Sequence, residues 1–447
     1  MALSAGYWLG GRLADRSPTR RTLCAVVLSA SVLLAAVPFV ARPFLNFAVD
    51  AIDSYSAGAF AGSLVAVVAL VGVPVALLGA VAPFAVRLSL EDVRAAGSVT
   101  GGLYALSTVG SLVGTFLAAL VLVPFAGTQR TFLAFGAALA AVAAPALRRE
   151  ALLVPAAIVA AIAIAPVPGK AAPDGARVID EVETPYQYAR VVEDADGTRR
   201  LELNEGVAVH SKYRPGAYLT DDYWDDFLVL PFAVRDRAPR RVAILGNAAG
   251  TTAREYGHFY PGTAVDAVEI DGRLTEIGRR LFDLRGPRLR VVTADARPYL
   301  RATRARYDAI FVDAYRQPYI PFYLTTREFF ELVRSRLTPA GVVVVNVGHP
   351  EDSTRLERVL TATMKAAFPH VWRDPAKPTN TQLAASVART SPARIPGAAR
   401  YPLRALADQV AARLGPGLPG GEVYTDDRAP VEWLIDRSIV TVARNGG

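Results

Sequence analysis

Four long apolar stretches near the start of this chain constrain its fold more than any other feature of the sequence. A membrane-spanning helix needs roughly 20 apolar residues. Four stretches meet that requirement and a fifth is marginal, so the sequence predicts a multi-pass helical membrane domain over residues 1–170 with four to five spans. The four stretches cover residues 22–41, 60–84, 101–125 and 131–147, and the marginal one covers 151–166.

The distribution of charge supports a division into two parts. Residues 1–170 contain 17 charged side chains, whereas residues 171–447 contain 73. This contrast excludes a disordered chain, a fibrous protein and a uniformly soluble enzyme. The formal net charge is +8, and most of the excess arginine and lysine lies beside the apolar stretches. Such charge orients helices in a bilayer, so we expect a lipid bilayer as a partner and no nucleic acid.

The first residues predict a partial membrane helix and an orientation. Residues 2–11 are apolar but too short to span, and four arginines follow within residues 12–21. We interpret this segment as the second half of a membrane helix whose beginning is missing from the chain. The positive-inside rule predicts that residues 12–21 are cytoplasmic. If four spans follow, residues 171–447 are also cytoplasmic. If residues 151–166 form a fifth span, residues 171–447 lie outside the cell. The sequence does not decide between these two topologies.

Metal and disulfide chemistry are not expected. The single cysteine, Cys24, lies within an apolar stretch. An intramolecular disulfide is therefore impossible, and no spacing of cysteine and histidine typical of zinc sites occurs in the sequence. We predict no metal.

From residue 171 the pattern becomes that of an α/β protein. Short alternating strands separated by turn signals over 177–211 predict a small antiparallel β domain within residues 171–235. Residues 236–447 contain apolar β runs followed by helical patterns, which predict a parallel sheet covered on both faces, in a Rossmann-like domain that binds a nucleoside. The runs are RRVAILG, AVDAVEID, RLRVVTAD, YDAIFVDAY and GVVVVNVG.

Polar and glycine residues follow the strands of this predicted sheet. The first strand ends in a glycine-rich turn that begins at Gly246, and Glu269 ends the second strand, where an acid accepts hydrogen bonds from ribose hydroxyls. Asp295 and Asp313 follow the third and fourth strands. The carboxyl ends of parallel strands meet at one edge, so we expect these residues to converge. The turn has the pattern GxxxG rather than GxGxxG, which favours a sulfonium nucleoside over a nicotinamide dinucleotide.

Residues 177–372 resemble the spermidine synthase (aminopropyltransferase) family, particularly its bacterial members fused to membrane helices. The resemblance implies a class I methyltransferase-type fold, decarboxylated S-adenosylmethionine as co-substrate, a polyamine or other amine as acceptor, and a possible homodimer. It rests on ETPYQYARVVE, DGTRRLELNEG, VEID, ADARPYL, YDAIFVDAY and IPFYLTTREFF, and on PFAVRLSLEDVRAAGSVTGGLYALSTVGSLVGTF in the apolar part.

The resemblance also implies roles for individual residues. Asp313 is the expected catalytic residue, which serves the acceptor amine. The acceptor is expected to contact Tyr223, Asp225 and Tyr315, although the acidic segment 220–227 is equally consistent with a solvated helix start. The residues expected to bind the donor are Gln187, Gly246, Asn247, Gly250, Glu269, Asp295 and Ala296.

Two departures from the family pattern leave other functions open. Ala249 stands where the family has a donor-binding acid, and Arg316 where it has a second acid near the acceptor. A cation there repels a diamine, so Arg316 either turns away or recognises an anionic group on another substrate. One alternative function is a methyltransferase that uses S-adenosylmethionine, because the same fold and Glu269 serve either donor. Another is a non-catalytic membrane protein that senses or helps to transport polyamines.

Overall fold

The structure is a computed structural model that describes residues 1–53, 59–164, 172, 175–204, 208–315, 320–351 and 353–435. It divides into two compact units, one within residues 1–169 and the other within residues 170–442. Each unit is described by itself.

The first unit is helical. Three of its helical stretches are long and apolar enough to cross a membrane: Arg20–Ala41, Val68–Ser89 and Val93–Leu122. The other two predicted spans fall on helices α7 and α8, which have 16 and 12 residues, so the count of four to five spans stays a prediction. The helices are α1 (Ala2–Arg16), α2 (Arg20–Asp53), α3 (Ala59–Gly79), α4 (Val81–Ser89), α5 (Ala96–Leu117), α6 (Val123–Ala126), α7 (Thr128–Ala143) and α8 (Leu153–Ile164).

Small residues allow α1 and α3 to pack closely. A Cβ atom added to Gly6 would lie 2.1 Å from the carbonyl oxygen of Ala76, and one added to Gly10 would lie 2.4 Å from Cα of Ala80. Glycine therefore permits the backbones to touch, as in other tightly packed apolar helices.

The second unit begins with a four-stranded antiparallel sheet in the order β1-β2-β3-β4. Val191 of β2 and Leu201 of β3 are fully buried, and they pack in one cluster with Leu274 and Ile277 of helix α11. Val192, the neighbour of Val191 on β2, is also fully buried, so β2 is covered on both faces there. The strands are β1 (Arg177–Glu183), β2 (Tyr188–Glu193), β3 (Arg199–Leu203) and β4 (Val209–Tyr213).

The main sheet has eight strands in the order β12-β10-β11-β9-β8-β5-β6-β7. Strands β5 to β9 are parallel, whereas β11 pairs antiparallel with both β9 and β10. This topology confirms the predicted Rossmann-like, methyltransferase-type fold. The strands are β5 (Arg241–Leu245), β6 (Ala264–Glu269), β7 (Leu289–Thr293), β8 (Tyr307–Val312), β9 (Leu337–Gly348), β10 (His370–Lys377), β11 (Asn380–Ser386) and β12 (Gly415–Pro416).

Helices cover both faces of this sheet, which explains the continuous apolar β runs. Ile310 and Phe311 are neighbours on β8, and both are fully buried although they face opposite sides. The helices are α9 (Tyr223–Asp226), α10 (Thr251–Phe259), α11 (Gly272–Leu281), α12 (Ala296–Ala302), α13 (Arg327–Arg336), α14 (Arg355–Ala367), α15 (Arg394–Ala398) and α16 (Arg404–Arg413).

The order of the strands determines where a ligand can bind. The chain runs outward from β5 through β6 to β7, and then returns to place β8 on the other side of β5. The connections therefore diverge at the carboxyl ends of β5 and β8 and leave a crevice there.

Candidate active site

The turn after β5 requires glycine at two positions. Gly246 has φ of 88°, and a Cβ atom there would lie 2.4 Å from the carbonyl oxygen of Asp313. Gly250 has φ of 98°, and its Cβ would lie 2.3 Å from Cδ1 of Leu284. Both conformations disfavour any other residue. Gly246 thus lets the ends of β5 and β8 approach closely, whereas Gly250 is required for packing against Leu284.

A cavity of about 330 Å³, which we call the rim cavity, opens at the carboxyl ends of β5, β6 and β8. It brings together most of the residues expected to bind the donor. Asn247 and Gly250 are the exceptions, because they lie in the turn behind the cavity rather than in its wall. The expected residues that line it are Gln187, Gly246, Glu269, Asp295, Ala296 and Asp313.

The carboxylate of Glu269 is held by the backbone. Its Oε2 accepts a hydrogen bond from the backbone N–H of Ala248 at 2.7 Å, and Oε1 accepts one from the N–H of Asp271 at 2.9 Å. Burial raises the pKa of Glu269 to about 7, although these hydrogen bonds lower it. Each oxygen has a second lone pair, so the carboxylate can still accept two hydroxyl groups from the cavity.

Asp295 is fixed at the start of α12, at the other side of the rim cavity. Its Oδ1 accepts the N–H of Arg297 at 3.0 Å, and its Oδ2 accepts the hydroxyl of Tyr323 at 2.8 Å. Gln187 approaches from the small sheet, where its Nε2 lies 3.5 Å from the carboxylate of Asp271. The polar groups in the wall are therefore held by their neighbours, among apolar residues such as Val268 and Leu274.

Asp313 follows β8 and receives three hydrogen bonds. The side-chain amide of Asn346 donates to Oδ1 at 2.8 Å, and Oδ2 accepts the indole N–H of Trp224 at 3.1 Å and the hydroxyl of Tyr223 at 3.2 Å. Burial raises the pKa of Asp313 to about 6, while the three hydrogen bonds act in the opposite direction. The carboxylate is thus ionised at neutral pH and firmly oriented.

A second cavity of about 640 Å³, which we call the side cavity, is lined by hydrogen-bond partners of Asp313. Tyr223 and Trp224 line it, and they donate to Asp313. His210 and Tyr315 line both cavities. Asp313 thus lines the rim cavity, and its hydrogen-bond partners Tyr223, Trp224 and Asn346 line the side cavity.

Of the residues expected to bind the acceptor, Tyr223 and Tyr315 line the side cavity, whereas Asp225 does not. Asp225 does not line either cavity, because its carboxylate accepts the N–H and hydroxyl of Thr220 and the N–H of Asp221 at 2.7–2.9 Å. Asp222 lines the side cavity instead. Tyr223 and the following three residues of α9 are buried, so the interpretation of this segment as a solvated helix start is wrong.

The hydroxyl of Tyr315 forms two hydrogen bonds with the backbone of β9, and the side chain also lines both cavities. Its hydroxyl donates to the carbonyl of Asn346 at 2.8 Å and accepts the N–H of Gly348 at 2.5 Å. This holds the aromatic ring across the end of β9. Asn346 therefore connects Tyr315 with Asp313, and the sequence analysis did not find it. The available signal was a polar residue inside the apolar run GVVVVNVG.

The two departures from the family pattern have different outcomes. Ala249 is fully buried, and its N–H donates to the hydroxyl of Ser211 at 3.0 Å, so it lies behind the rim cavity. Arg316 lies outside the described residues. Within the described part of the chain, no group of three His, Cys, Asp or Glu side chains is placed to hold a metal ion.

Comparisons with known proteins show which proteins the chain resembles. A family model for the spermine/spermidine synthase domain matches residues 229–381. A probable polyamine aminopropyl transferase of Bifidobacterium longum (strain NCC 2705) is 36% identical over 189 residues, which cover 42% of this chain and 42% of the relative. A polyamine aminopropyltransferase of Synechococcus sp. (strain JA-3-3Ab) is 32% identical over 225 residues, which cover 42% of this chain and 70% of the relative.

The similarity is partial in length. The chain spans 42% of the length of the Bifidobacterium relative and 44% of a polyamine aminopropyltransferase of Vibrio vulnificus (strain CMCP6). Among solved structures, a probable spermidine synthase from Corynebacterium glutamicum ATCC 13032 superposes with a TM-score of 0.42 at 23% identity, covering 62% of this chain and 96% of that one.

Proposed function

The chain belongs to the spermine/spermidine synthase family, and on that basis we propose that it transfers a 3-aminopropyl group from decarboxylated S-adenosylmethionine to an amine. The observation that supports this most is that Asp313 lines the rim cavity while its three hydrogen-bond partners line the side cavity. One cavity has the polar rim that a nucleoside needs, and the other has aromatic walls suited to an amine.

The rim cavity suits the adenosine part of the donor. Glu269 accepts the two ribose hydroxyls, and Asp295 and Ala296 contact the adenine. Gln187 closes the cavity from the small sheet, and the backbone of Gly246 allows the donor to approach the end of β5. This arrangement directs the sulfonium and its aminopropyl arm toward Asp313.

Asp313 provides the chemistry that the transfer requires. The lone pair of the amine forms a C–N bond with the methylene group beside the sulfonium. The C–S bond breaks, and its electrons pass to sulfur, so the neutral thioether methylthioadenosine leaves without an acid. A free amine arrives mostly as an ammonium with a pKa of about 10.4 by analogy with lysine. Asp313 binds this ammonium, accepts one proton from it to free the lone pair, and holds the resulting amine in line with the methylene.

A methyltransferase is the second candidate, because Glu269 serves either donor. The charge of the rim cavity favours the decarboxylated donor, since its described lining contains neither lysine nor arginine. The carboxylate of ordinary S-adenosylmethionine would therefore enter a cavity without a described cationic partner, at a cost in desolvation.

We further propose that residues 1–170 anchor the enzyme in the cell membrane as a multi-pass domain, with the catalytic part on the cytoplasmic side. The three apolar helical stretches support the anchor. The cytoplasmic side requires that the arginines of residues 12–21 are cytoplasmic and that an even number of spans follows them, as in the four-span prediction. The homodimer that the family resemblance implies stays a prediction.

Turnover by the chain of residues 1–447 in detergent tests the proposed function. With decarboxylated S-adenosylmethionine and a panel of amines, we expect methylthioadenosine and aminopropylated amine in equal amounts. Asp313→Asn should lower the rate by about 10²–10⁴-fold, as for loss of a general base. The matched control is Asp427→Asn, since Asp427 is exposed and lies outside both cavities.

Each outcome of this experiment has a defined meaning. Formation of S-adenosylhomocysteine from ordinary S-adenosylmethionine, without thioether from the decarboxylated donor, would establish the methyltransferase instead. Donor binding without turnover for any amine would support the non-catalytic sensor.

A further inference from the structure

The side cavity has an unusual charge for a site that binds diamines. Among its described lining residues the only charged side chains are Asp222 and Lys377. Asp222 precedes α9, and its Oδ1 accepts the N–H of Tyr223 at 2.9 Å. A diamine has a second ammonium beyond the reacting nitrogen, and that second ammonium needs an anion of its own. The described wall provides one anion, Asp222, and one cation, Lys377, so its formal charges cancel.

The position of Lys377 connects it to the catalytic carboxylate. Lys377 ends β10 and pairs with Asn380 at the start of β11. The side chain of Asn380 donates to Oδ1 of Asn346 at 3.0 Å, and Asn346 donates to Asp313 at 2.8 Å. Lys377, Asn380 and Asn346 all line the side cavity, so the lysine lies in the same wall as the residues that lead to Asp313.

The ammonium of Lys377 has donors available for a ligand. One of its three N–H groups donates to the backbone carbonyl of Asp221 at 2.7 Å. In the described part of the chain no carboxylate forms an ion pair with Lys377. An ammonium that lines a cavity and is held by a neutral carbonyl is suited to bind an anion there.

From this arrangement we infer that the acceptor is a primary amine that also carries a carboxylate, whose amine is bound by Asp313 and whose carboxylate is bound by Lys377. The inference rests on the proposed function, because it concerns the acceptor of the same transfer. Apolar side chains such as Leu356 and Ile435 also line the side cavity and suit the aliphatic chain between the two groups.

The reaction with such an acceptor balances without any further reactant. The amine lone pair forms the new C–N bond, the C–S electrons pass to sulfur, and one proton leaves through Asp313 to solvent. The carboxylate of the acceptor is unchanged.

Matched acceptors test the inference. The probes are 4-aminobutanoate, 5-aminopentanoate and 6-aminohexanoate, each compared with the diamine of the same chain length. For the chain of residues 1–447 we expect kcat/KM of the best amino carboxylate to exceed that of its matched diamine at least tenfold, which corresponds to about 1.4 kcal/mol. Lys377→Met should remove this preference, and Lys377→Glu should reverse it.

Lys212 provides a matched control for a merely structural role. Its ammonium donates to the carbonyl of Thr220 at 2.8 Å, so it holds the same turn that Lys377 holds at Asp221. Lys212 does not line the side cavity. Lys212→Met should therefore leave the ratio of the two kcat/KM values unchanged, even if it slows both reactions. If Lys377→Met is poorly folded, Lys377→Gln replaces it.

The outcomes separate this inference from the proposed function. A wild-type preference for diamines, or a ratio that Lys377→Glu does not change, would overturn the inference while the transferase stands. If no amine yields methylthioadenosine, the proposed function fails, and calorimetry on protein saturated with methylthioadenosine decides the inference. Binding of an amino carboxylate that Lys377→Met abolishes supports it, and no binding refutes it.

Discussion

The hydrogen bond from Trp224 to Asp313 should tune the pH at which the enzyme works. Trp224→Phe removes the indole N–H, which donates to Oδ2 of Asp313 at 3.1 Å, and keeps an aromatic ring beside Tyr223. The bond lowers the pKa of Asp313, so its loss raises that pKa. A hydrogen bond to a charged group contributes about 1.5 kcal/mol, and one pKa unit corresponds to about 1.4 kcal/mol.

This magnitude predicts a pKa that rises by about one unit, from about 6 to about 7. At pH 6.5 the ionised fraction of Asp313 then falls from about three quarters to about one quarter, and activity falls about threefold. Near pH 8.5 both proteins are ionised and their rates converge. The assay is kcat/KM for the amine at saturating donor across this pH range, expressed as the ratio of variant to wild type, because the ratio cancels the titration of the amine.

Trp433→Phe is the control, since Trp433 is 60% exposed and lies outside both cavities. Two results would refute the role of this hydrogen bond. One is a kcat/KM profile of Trp224→Phe whose fall toward acid pH occurs at the same pH as in the wild type. The other is a loss of kcat/KM that has the same size at every pH.

Two further variants test the donor site and the support of α9. Glu269→Gln should weaken methylthioadenosine binding about 10- to 100-fold in calorimetry, because a neutral amide forms weaker bonds to the ribose hydroxyls than a carboxylate; unchanged affinity would contradict the ribose assignment. Arg413 donates to Asp226 at 2.9 Å and to Asp374 at 2.7 Å, and burial raises the pKa of Asp226 to about 7. Arg413→Met should therefore destabilise the protein by about 3 kcal/mol at pH 8 and by less at pH 5.5, where protonation of a carboxyl with a raised pKa removes the repulsion. Thermal unfolding of the wild type and of Arg413→Met at both pH values measures this loss of stability. A loss of the same size at pH 8 and pH 5.5 would contradict the prediction.

The sequence predicted those parts of the fold that depend on local patterns. Apolar runs identified the strands of the main sheet, because strands covered on both faces need apolar residues at every position. Glu269, Asp295 and Asp313 were predicted to converge because each ends a parallel strand, and the topology alone brings such ends together. The rim cavity confirms that convergence.

Other features depend on contacts that the sequence does not reveal. Which acid of segment 220–227 lines the side cavity depends on the turn at Asp221, where φ is 56° and Asp225 accepts the backbone N–H groups. Asn346 lies 33 residues after its partner Asp313, so their contact follows only from the pairing of β8 with β9. Long-range partners of this kind lower the pKa of Asp313 against the larger effect of burial, and local sequence patterns do not identify them as its partners.

The affinity of a bisubstrate adduct tests most directly the claim that Asp313 lies between a donor site and an acceptor site. Such an adduct joins adenosine through an aminopropyl arm to an amine, so it fills both cavities only if they meet. Calorimetry should show that it binds the wild-type protein at least 100-fold more tightly than methylthioadenosine, because the two parts bind as one molecule, and that Asp313→Asn loses most of this gain. An adduct that binds no more tightly than methylthioadenosine would contradict the account.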